Sequence, residues 1–402
     1  MNRAAGIDPV ATKPAAVSIS GTGTHRAIVR TATATALAVA DRPTIIPGPG
    51  ELSIATEVAG VCGTDIQLLR GLRADPATVI GHEGIGRIAA VGVGTDPELT
   101  AGTLVVINPT HPTEPSFLLG HNIDGLWQER TLVPATAVRG GLVLPLPATT
   151  DPGLAPLLEP LAVAGYALEA FAPFDVRTLV IIGDGTVGHL AVRAARRRLG
   201  PAVRTVLVHH TPAGLRFSEA GRHRADVLVD HGRLTDLRPG PGGVAVLLAT
   251  PRDATIRALD AVLAMPLDGG LVIDVVGGLP PGTRSAMLPG VDLVALRAAN
   301  CGGLPDPIAI ASVTSAAGRR VRILGHRGVA NRHLLDAAAE LARDPERYRE
   351  LVTHETDLDG AVGVLRLLAR SRNRVVDGRR LVKLAIRFTA GRVAGRHPDV
   401  PR

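Results

Sequence analysis

The sequence predicts a two-domain α/β protein in which a small, barrel-like β domain precedes a doubly wound parallel sheet. Three observations support this fold class. Short β-like runs alternate with turn residues from residue 25 to about residue 147. A continuous apolar run, residues 177–182, then leads into a glycine-rich turn, as a buried parallel strand would. After this turn, strand-like and helix-like segments alternate to about residue 328.

The composition excludes several classes of protein. Of the 402 residues, 46% are hydrophobic and 20% are charged, which suffices for sizeable cores and excludes global disorder. No apolar stretch reaches about 18 residues, and the N-terminal segment lacks the apolar region of a secretory signal. Two cysteines, Cys62 and Cys301, cannot form a disulfide framework. We therefore expect a cytoplasmic protein with no membrane partner.

The positive charge comes from arginine. The net charge is +7, and all but two of the 44 basic residues are arginines. The densest clusters are residues 196–198 and the tail positions Arg387, Arg392, Arg396 and Arg402. Because aromatic residues make up only 2% of the chain and no nucleic-acid motif is present, we expect no nucleic-acid partner.

Residues 1–24 are rich in Ala, Ser, Thr and Gly without periodicity, which predicts a flexible leader. The β-like runs that follow are residues 26–30, 52–58, 86–92 and 104–107. Further along, helices are predicted over residues 151–171, 254–264 and 334–343, and strands over residues 177–182, 205–208, 244–248, 270–276 and 380–386. The stretch from residue 279 to residue 320 has no assignable pattern.

The apolar strand 177–182 runs directly into a G-x-G-x-x-G turn followed by a helix. The residues of this turn that we expect to bind a dinucleotide are Gly183, Gly185, Thr186, Val187 and Gly188. Glycines permit a tight turn and close approach of the backbone, so that helix N–H groups can hold a pyrophosphate. A glycine-rich strand–helix turn that binds no ligand is the alternative.

The end of the next strand bears on the choice of dinucleotide. An acidic residue there would accept a hydrogen bond from a free ribose 2′-hydroxyl, but the chain has His209 and His210, followed by Arg216. The absence of an acid and the nearby cations favour NADP over NAD.

Four residues form a candidate zinc-binding set. Cys62, His82 and Glu83 lie in the β-like domain, and Glu159 lies shortly before the nucleotide strand. A thiolate, an imidazole and carboxylates together suit Zn²⁺, and so few protein ligands leave a position open for substrate. Each residue alone is unremarkable, and only their combination with the nucleotide turn indicates a metal site.

With these motifs, the chain resembles the zinc-dependent medium-chain dehydrogenases/reductases of the alcohol dehydrogenase superfamily, with the pattern of the polyol, sugar and threonine dehydrogenase branch. Besides the turn at Gly183, the matching motifs are PGPGE (47–51), VCGTD (61–65), GHEGIG (81–86), DGLWQER (124–130), LEPLA (158–162), Gly269–Gly270 and LVTHE (351–355). They follow one another between about residues 25 and 388.

The resemblance implies a GroES-like, β-barrel-type catalytic domain and a Rossmann domain with a doubly wound parallel sheet. We expect the leader at 1–24, the catalytic domain at 25–172, the Rossmann domain at 173–328, and a return to the catalytic domain with a basic tail at 329–402. Matching positions imply that Cys62 and His82 bind the catalytic zinc and that Glu83 and Glu159 complete its shell, directly or through water. Relatives of this branch also imply a homodimer or homotetramer.

The resemblance also bears on the orientation of His82, on proton transfer and on a second zinc ion. The resemblance implies that Asp65 orients the His82 ring and that Thr64 hydrogen-bonds the substrate hydroxyl. Gln67 stands where many relatives have a relay histidine, and an amide cannot titrate near neutrality. No cysteine lies between Cys62 and Cys301, so we expect one zinc per chain and no structural zinc. His111 and His121 either line the substrate pocket or are ordinary loop histidines.

The expected function is zinc-dependent hydride transfer between NAD(P) and a secondary alcohol or ketone of a polyol, sugar or cyclitol-like molecule. Two alternatives remain on the same fold: a zinc-free reductase and a non-catalytic dinucleotide-binding protein. The sequence does not decide between NAD and NADP, between Glu83 and Glu159 as direct zinc ligand, or among substrates.

Overall fold

The computed structural model describes residues 23–31, 36–267 and 269–388. The expected leader lies outside the described residues up to residue 22, as do Arg392, Arg396 and Arg402 in the tail. Within the described part, two seven-stranded sheets carry the fold, one largely antiparallel and one largely parallel. This arrangement confirms the fold class predicted from the sequence. No helix of the described residues is both long and apolar enough to span a membrane.

The first sheet is built mainly from the N-terminal part of the chain. Its elements and their neighbours are β1 (Thr24–Arg30), β2 (Leu37–Pro43), β3 (Leu52–Gly60), α1 (Gly63–Leu69), β4 (Gly84–Val91), β5 (Leu104–Ile107), β6 (Arg130–Val133), α2 (Ala135–Arg139), β7 (Val143–Pro145) and α3 (Leu158–Phe171). β3 is the centre of this sheet, pairing antiparallel with β4 and β6. The predicted helix 151–171 begins regularly only at Leu158, because a 3₁₀ turn, Ala155–Leu157, with Pro156 inside it comes first.

The second sheet has the Rossmann order. Its elements are β8 (Val176–Ile182), α4 (Thr186–Leu199), β9 (Arg204–His209), α5 (Pro212–Ala220), β10 (Val227–Asp230), β11 (Gly243–Leu248), α6 (Thr255–Leu263), β12 (Leu271–Asp274), α7 (Leu293–Ala298), β13 (Ala311–Thr314) and β14 (Arg320–Leu324). The order β10-β9-β8-β11-β12-β14-β13 reverses direction between β8 and β11. At such a reversal, a crevice for ligands opens at the carboxyl ends of the strands.

The stretch without an assignable pattern contains α7 and β13. β13 runs antiparallel to β14 at the edge of the otherwise parallel sheet. Its four residues alternate between half-buried and exposed, so it carries no continuous apolar run of the kind that marked the buried strands. A short edge strand of this kind gives little signal in the sequence.

The C-terminal part returns to the first sheet. It consists of α8 (Asn331–Arg343), α9 (Glu346–Arg349), β15 (Val352–Asp357), α10 (Leu358–Arg370), β16 (Val375–Val376), β17 (Arg379–Arg380) and β18 (Lys383–Arg387). β18 lies between β15 and β3. The predicted final strand, 380–386, starts at Lys383 instead, because β17 pairs with β16 in a small hairpin that turns at Asp377 and Gly378, both with positive φ. The predicted domain limits themselves stay a prediction.

Candidate metal and dinucleotide site

Two neighbouring strands bring the cysteine and histidine motifs together. Cys62 follows the end of β3, and His82 and Glu83 lie directly before β4, which pairs with β3 through Ala59 and Gly84. One ligand atom each from Cys62, His82 and Glu83 lies within 4.8 Å of the others. The sheet register therefore gathers a sulfur, a nitrogen and an oxygen donor at one point.

Asp65 lies beside the histidine. Its Oδ2 accepts a hydrogen bond from the Cys62 backbone N–H at 2.8 Å, which also caps α1. Its Oδ1 faces His82 Nδ1 at 3.7 Å, and both of these buried atoms lack a hydrogen-bond partner. This arrangement leaves His82 Nε2 for a ligand. The orphaned polar atoms and the S, N and O donors fit a zinc ion with its usual supporting carboxylate.

The buried carboxyl groups of Asp65 and Glu159, close to His82, have raised pKa values. Burial raises the pKa of Asp65 to about 6 and the pKa of Glu159 to about 7. Burial alone would lower the pKa of His82, but its hydrogen bond with Cys62 and the charge of Asp65 raise it to about 10. The protein environment thus favours added positive charge at these side chains, which a divalent cation would supply.

The two candidate carboxylates differ in their partners. Glu83 Oε2 accepts a hydrogen bond from Lys383 Nζ at 2.5 Å, and both side chains are only 1% exposed. Lys383 also donates to the Val61 carbonyl at 3.2 Å. Glu159, 7% exposed, has no hydrogen bond or ion pair within the described part of the chain. One oxygen of Glu83 is therefore occupied, whereas both oxygens of Glu159 are available.

α1 carries the two residues expected to handle the proton. Cys62 Sγ donates to Thr64 Oγ1 at 3.6 Å, which places the threonine hydroxyl beside the candidate metal ligand. Gln67 lies one turn further along the same helix face and is partly buried.

The glycine-rich turn after β8 has the backbone that a dinucleotide requires. Gly183 has a φ of 125°, and a Cβ there would lie 2.3 Å from the Ala249 carbonyl oxygen. A Cβ on Gly188 would lie 1.9 Å from the Gly183 carbonyl oxygen. Gly185 is the extended residue before α4, which begins with Thr186 and Val187. The first N–H groups of α4 consequently face the crevice at the end of the sheet.

Two arginines beside this turn were missed in the sequence. Arg380 Nη2 donates to Asp184 Oδ2 at 3.0 Å. Arg374 Nη2 lies 3.7 Å from the position of a Cβ on Gly63, and burial lowers the pKa of Arg374. The β16–β17 hairpin thus brings a cation between the Cys62 loop and the glycine turn. The Asp377–Gly378 pair signalled a turn, but the arginine bias of the chain hid the two side chains.

The three residues expected near the ribose differ in how exposed they are. His209 is fully buried, with Nε2 2.7 Å from Ser218 Oγ and Nδ1 3.3 Å from the Val229 carbonyl. His210 is exposed, its ring 4.7 Å from that of His231, and Arg216 is exposed on α5. The structure therefore leaves His210 and Arg216 accessible and engages both ring nitrogens of His209.

His121 lies beside the candidate metal site. Its ring centre is 5.0 Å from that of His82, and its Nδ1 lies 2.6 Å from Asp75 Oδ2. Burial lowers the pKa of His121 to about 4, so the ring is neutral at physiological pH. The structure thus buries His121 beside His82, and a role in lining a substrate pocket stays a prediction; Asp75 is a residue that the sequence did not indicate.

Comparison with known proteins finds similarity to the same kind of protein. The sequence model of the family "Alcohol dehydrogenase GroES-like domain" matches residues 48–146 of this chain. An uncharacterized zinc-type alcohol dehydrogenase-like protein of Haemophilus influenzae is 30% identical over 36% of this chain and 46% of its own length. A glucose 1-dehydrogenase of Thermoproteus tenax is 27% identical over 54% of this chain and 73% of its own length. The chain spans about half the length of several curated relatives that it matches, the Haemophilus protein among them.

Solved structures share the fold over nearly the whole chain. A short chain alcohol dehydrogenase from Escherichia coli, in complex with NADH, superposes with a TM-score of 0.66 at 18% identity, covering 91% of this chain and all of that one. An acetophenone reductase from Geotrichum candidum, in complex with NAD, gives 0.66 at 18% identity, covering 92% and 98%. At this identity the likeness concerns the fold.

Proposed function

We propose that the chain, which resembles zinc-type alcohol dehydrogenases in its GroES-like domain and in its fold, transfers a hydride between NAD(P) and a secondary alcohol or ketone. The substrate class that we propose is a polyol, sugar or cyclitol-like small molecule. Cys62, His82 and either Glu83 or Glu159 would hold one zinc ion. When bound, that ion polarises the reacting oxygen as a Lewis acid.

The proposal is supported above all by the start of β18, which contacts both halves of the site. The Val382 carbonyl accepts a hydrogen bond from Thr186 Oγ1, at the first residue of the nucleotide helix, at 2.9 Å. The next residue, Lys383, holds Glu83. One strand end thus connects the dinucleotide turn to the metal-binding side chains, which is the proximity that hydride transfer needs.

The chain's own residues would position the reactants. Asp65 keeps the His82 ring in one orientation, and the Thr64 hydroxyl accepts the proton of a substrate hydroxyl and passes it on. Gln67 can bond a ribose hydroxyl but cannot take up the proton, so the proton would leave through water or another group. The α4 N–H groups would hold the pyrophosphate, and the buried Arg374 would add a compensating charge.

Metal content and cofactor reduction test the proposal together. We expect about one zinc per chain by elemental mass spectrometry, lost in Cys62→Ser but kept in the control Cys301→Ser. The zinc-loaded protein should reduce NADP or NAD with polyols, followed by absorbance of the reduced cofactor. Reduction without zinc would replace the proposal by a zinc-free reductase. Zinc and dinucleotide binding without turnover on any alcohol would leave a non-catalytic binding protein.

Cofactor choice and assembly complete the proposal. The exposed His210, which directly follows β9, and the exposed Arg216 of α5 support NADP over NAD. Homodimer or homotetramer formation stays a prediction that sedimentation of the purified chain would check.

A further inference from the structure

Four arginines lie on connections of the nucleotide sheet or on the loop after α1. Arg252 follows β11, Arg327 follows β14, and Arg297 belongs to α7, so three come from the nucleotide sheet and its connections. Arg73 comes from the loop after α1, on the catalytic side. Because ligands of such sheets bind at the carboxyl ends of the strands, Arg252 and Arg327, which follow β11 and β14, stand at the edge where a ligand of the crevice would bind.

Arg297 is held rigidly at the end of β12. Its Nη2 donates to the Val276 carbonyl at 3.1 Å, and its Cγ lies 3.0 Å from where a Cβ on Gly325 would be. Its Nε is buried without a hydrogen-bond partner. Burial, together with the charge of Arg327, lowers the pKa of Arg297 to about 10. A buried guanidinium with a free donor is costly unless a ligand completes it.

The other arginines lie close to it. The Arg252 side chain runs along Gly278, its Cβ and Cγ 3.4 Å from where a Cβ would be, and it has no hydrogen bond or ion pair among the residues described. Arg73 Nε contacts Asp75 Oδ2 at 2.6 Å. Arg252 packs on Gly278 and Arg297 on the Val276 carbonyl, so both lie at the loop that follows β12, and the charge of Arg73 acts on both.

The cluster adjoins the candidate metal site. Asp75, which holds Arg73, also holds His121, whose ring lies 5.0 Å from that of His82. The acids facing the cluster from the packed elements are Asp75 and Asp274, fewer than the arginines. Asp253, near Arg252, pairs instead with Arg372. Positive charge therefore exceeds negative charge among these groups, next to His121 and His82.

We propose that the arginine cluster, Arg73, Arg252, Arg297 and Arg327, binds an anionic group on the alcohol substrate, either a phosphate ester or a carboxylate. Both groups present paired oxygens that guanidinium groups bind bidentately. The enzyme therefore prefers anionic polyols to neutral ones. The reaction on the hydroxyl rests on the proposed function, whereas binding of the anion does not. The cofactor pyrophosphate has its own partners at the glycine turn and Arg374.

Kinetics on matched substrates test the preference. With the zinc-loaded full chain and saturating NADP, kcat/KM is measured for glucitol, glucitol 6-phosphate and gluconate. We expect at least one anionic substrate to exceed glucitol by about tenfold or more, as one or two charged hydrogen bonds would give. Arg73→Gln and Arg252→Gln should each lower that ratio by about tenfold. The control Arg177→Gln, a 59% exposed arginine at the start of β8, should leave it unchanged.

Binding without turnover separates this proposal from the function. Titration of the NADP-loaded protein with glucitol 6-phosphate, gluconate and inorganic phosphate, followed by calorimetry, should show saturable binding that Arg73→Gln weakens by about tenfold. Binding without oxidation would overturn the proposed function and keep the anion site. Equal kcat/KM for all three substrates, or Arg73→Gln weakening NADP rather than the anion, would overturn the anion site. Preference for the phosphate ester or for gluconate identifies which anion it takes.

Discussion

Replacing Lys383 with methionine should destabilise the protein far more than the loss of an ordinary ion pair. Lys383 Nζ and Glu83 Oε2 lie 2.5 Å apart, and both side chains are 1% exposed. Removing one partner leaves the other charge buried and unpaired, which typically costs about 3–5 kcal/mol. The hydrogen bond to the Val61 carbonyl is lost as well. We therefore expect the free energy of unfolding to fall by about 3–5 kcal/mol in the metal-free protein.

Urea unfolding of chelator-treated protein, followed by circular dichroism, measures this change. The matched control is Arg387→Met on the same strand, since Arg387 pairs with Glu355 at 2.7 Å with side chains 37% and 50% exposed. That exposed pair should cost about 1 kcal/mol or less. The double variant Glu83→Gln/Lys383→Met should recover part of the loss, because the unpaired charge is gone. A Lys383→Met variant no less stable than Arg387→Met would refute the reasoning.

Three further changes test other parts of the fold. Gly188→Ala places a Cβ 1.9 Å from the Gly183 carbonyl oxygen and should weaken NADP binding in a fluorescence titration by about tenfold or more, whereas Gly363→Ala in α10, with open space around it, should not. Tyr348→Phe removes the hydroxyl that donates to buried Glu340 and should lower the free energy of unfolding by about 1–2 kcal/mol. Thermal unfolding measures this loss, and an unchanged melting temperature would contradict the hydrogen bond. Burial alone would raise the pKa of Asp226, but hydrogen bonds from Thr205 and the charge of Arg196 lower it. A lowered pKa in the folded state stabilises the fold at pH values above the unfolded-state pKa of about 3.9, and this stabilisation is lost as the pH falls through the folded-state pKa. Asp226→Asn should therefore lower the free energy of unfolding, measured with urea, at pH 7 but not in acid. A cost independent of pH would contradict this assignment.

Local sequence patterns predicted much of the fold and of the candidate site. Strand β8, the glycine turn and helix α4 follow one another in sequence, so apolar runs and glycine spacing indicate them directly. The same holds for Cys62 and the His82–Glu83 pair, which flank strands that pair as neighbours. These features depend on residues close in the chain or on motifs that a family resemblance supplies.

Long-range partners could not be predicted in this way. Lys383 and Glu83 are 300 positions apart, and no periodicity indicates which of many carboxylates a lysine will meet. The role of Arg297 depends on α7, which lies in the stretch without a pattern, and on its packing against Gly325. In a chain with so many arginines, only burial and the absence of an acidic partner distinguish one arginine from the others.

The position of β18 between β15 and β3 has a consequence for biosynthesis. The central strand of the first sheet is complete early in translation, but its neighbour is made some 300 residues later. The nucleotide sheet, contiguous in the chain, can fold on the ribosome first. Glu83 obtains its lysine only after β18 has emerged. A chain truncated before β18 would therefore leave β3 without this neighbour and Glu83 without its lysine, while the nucleotide sheet is complete.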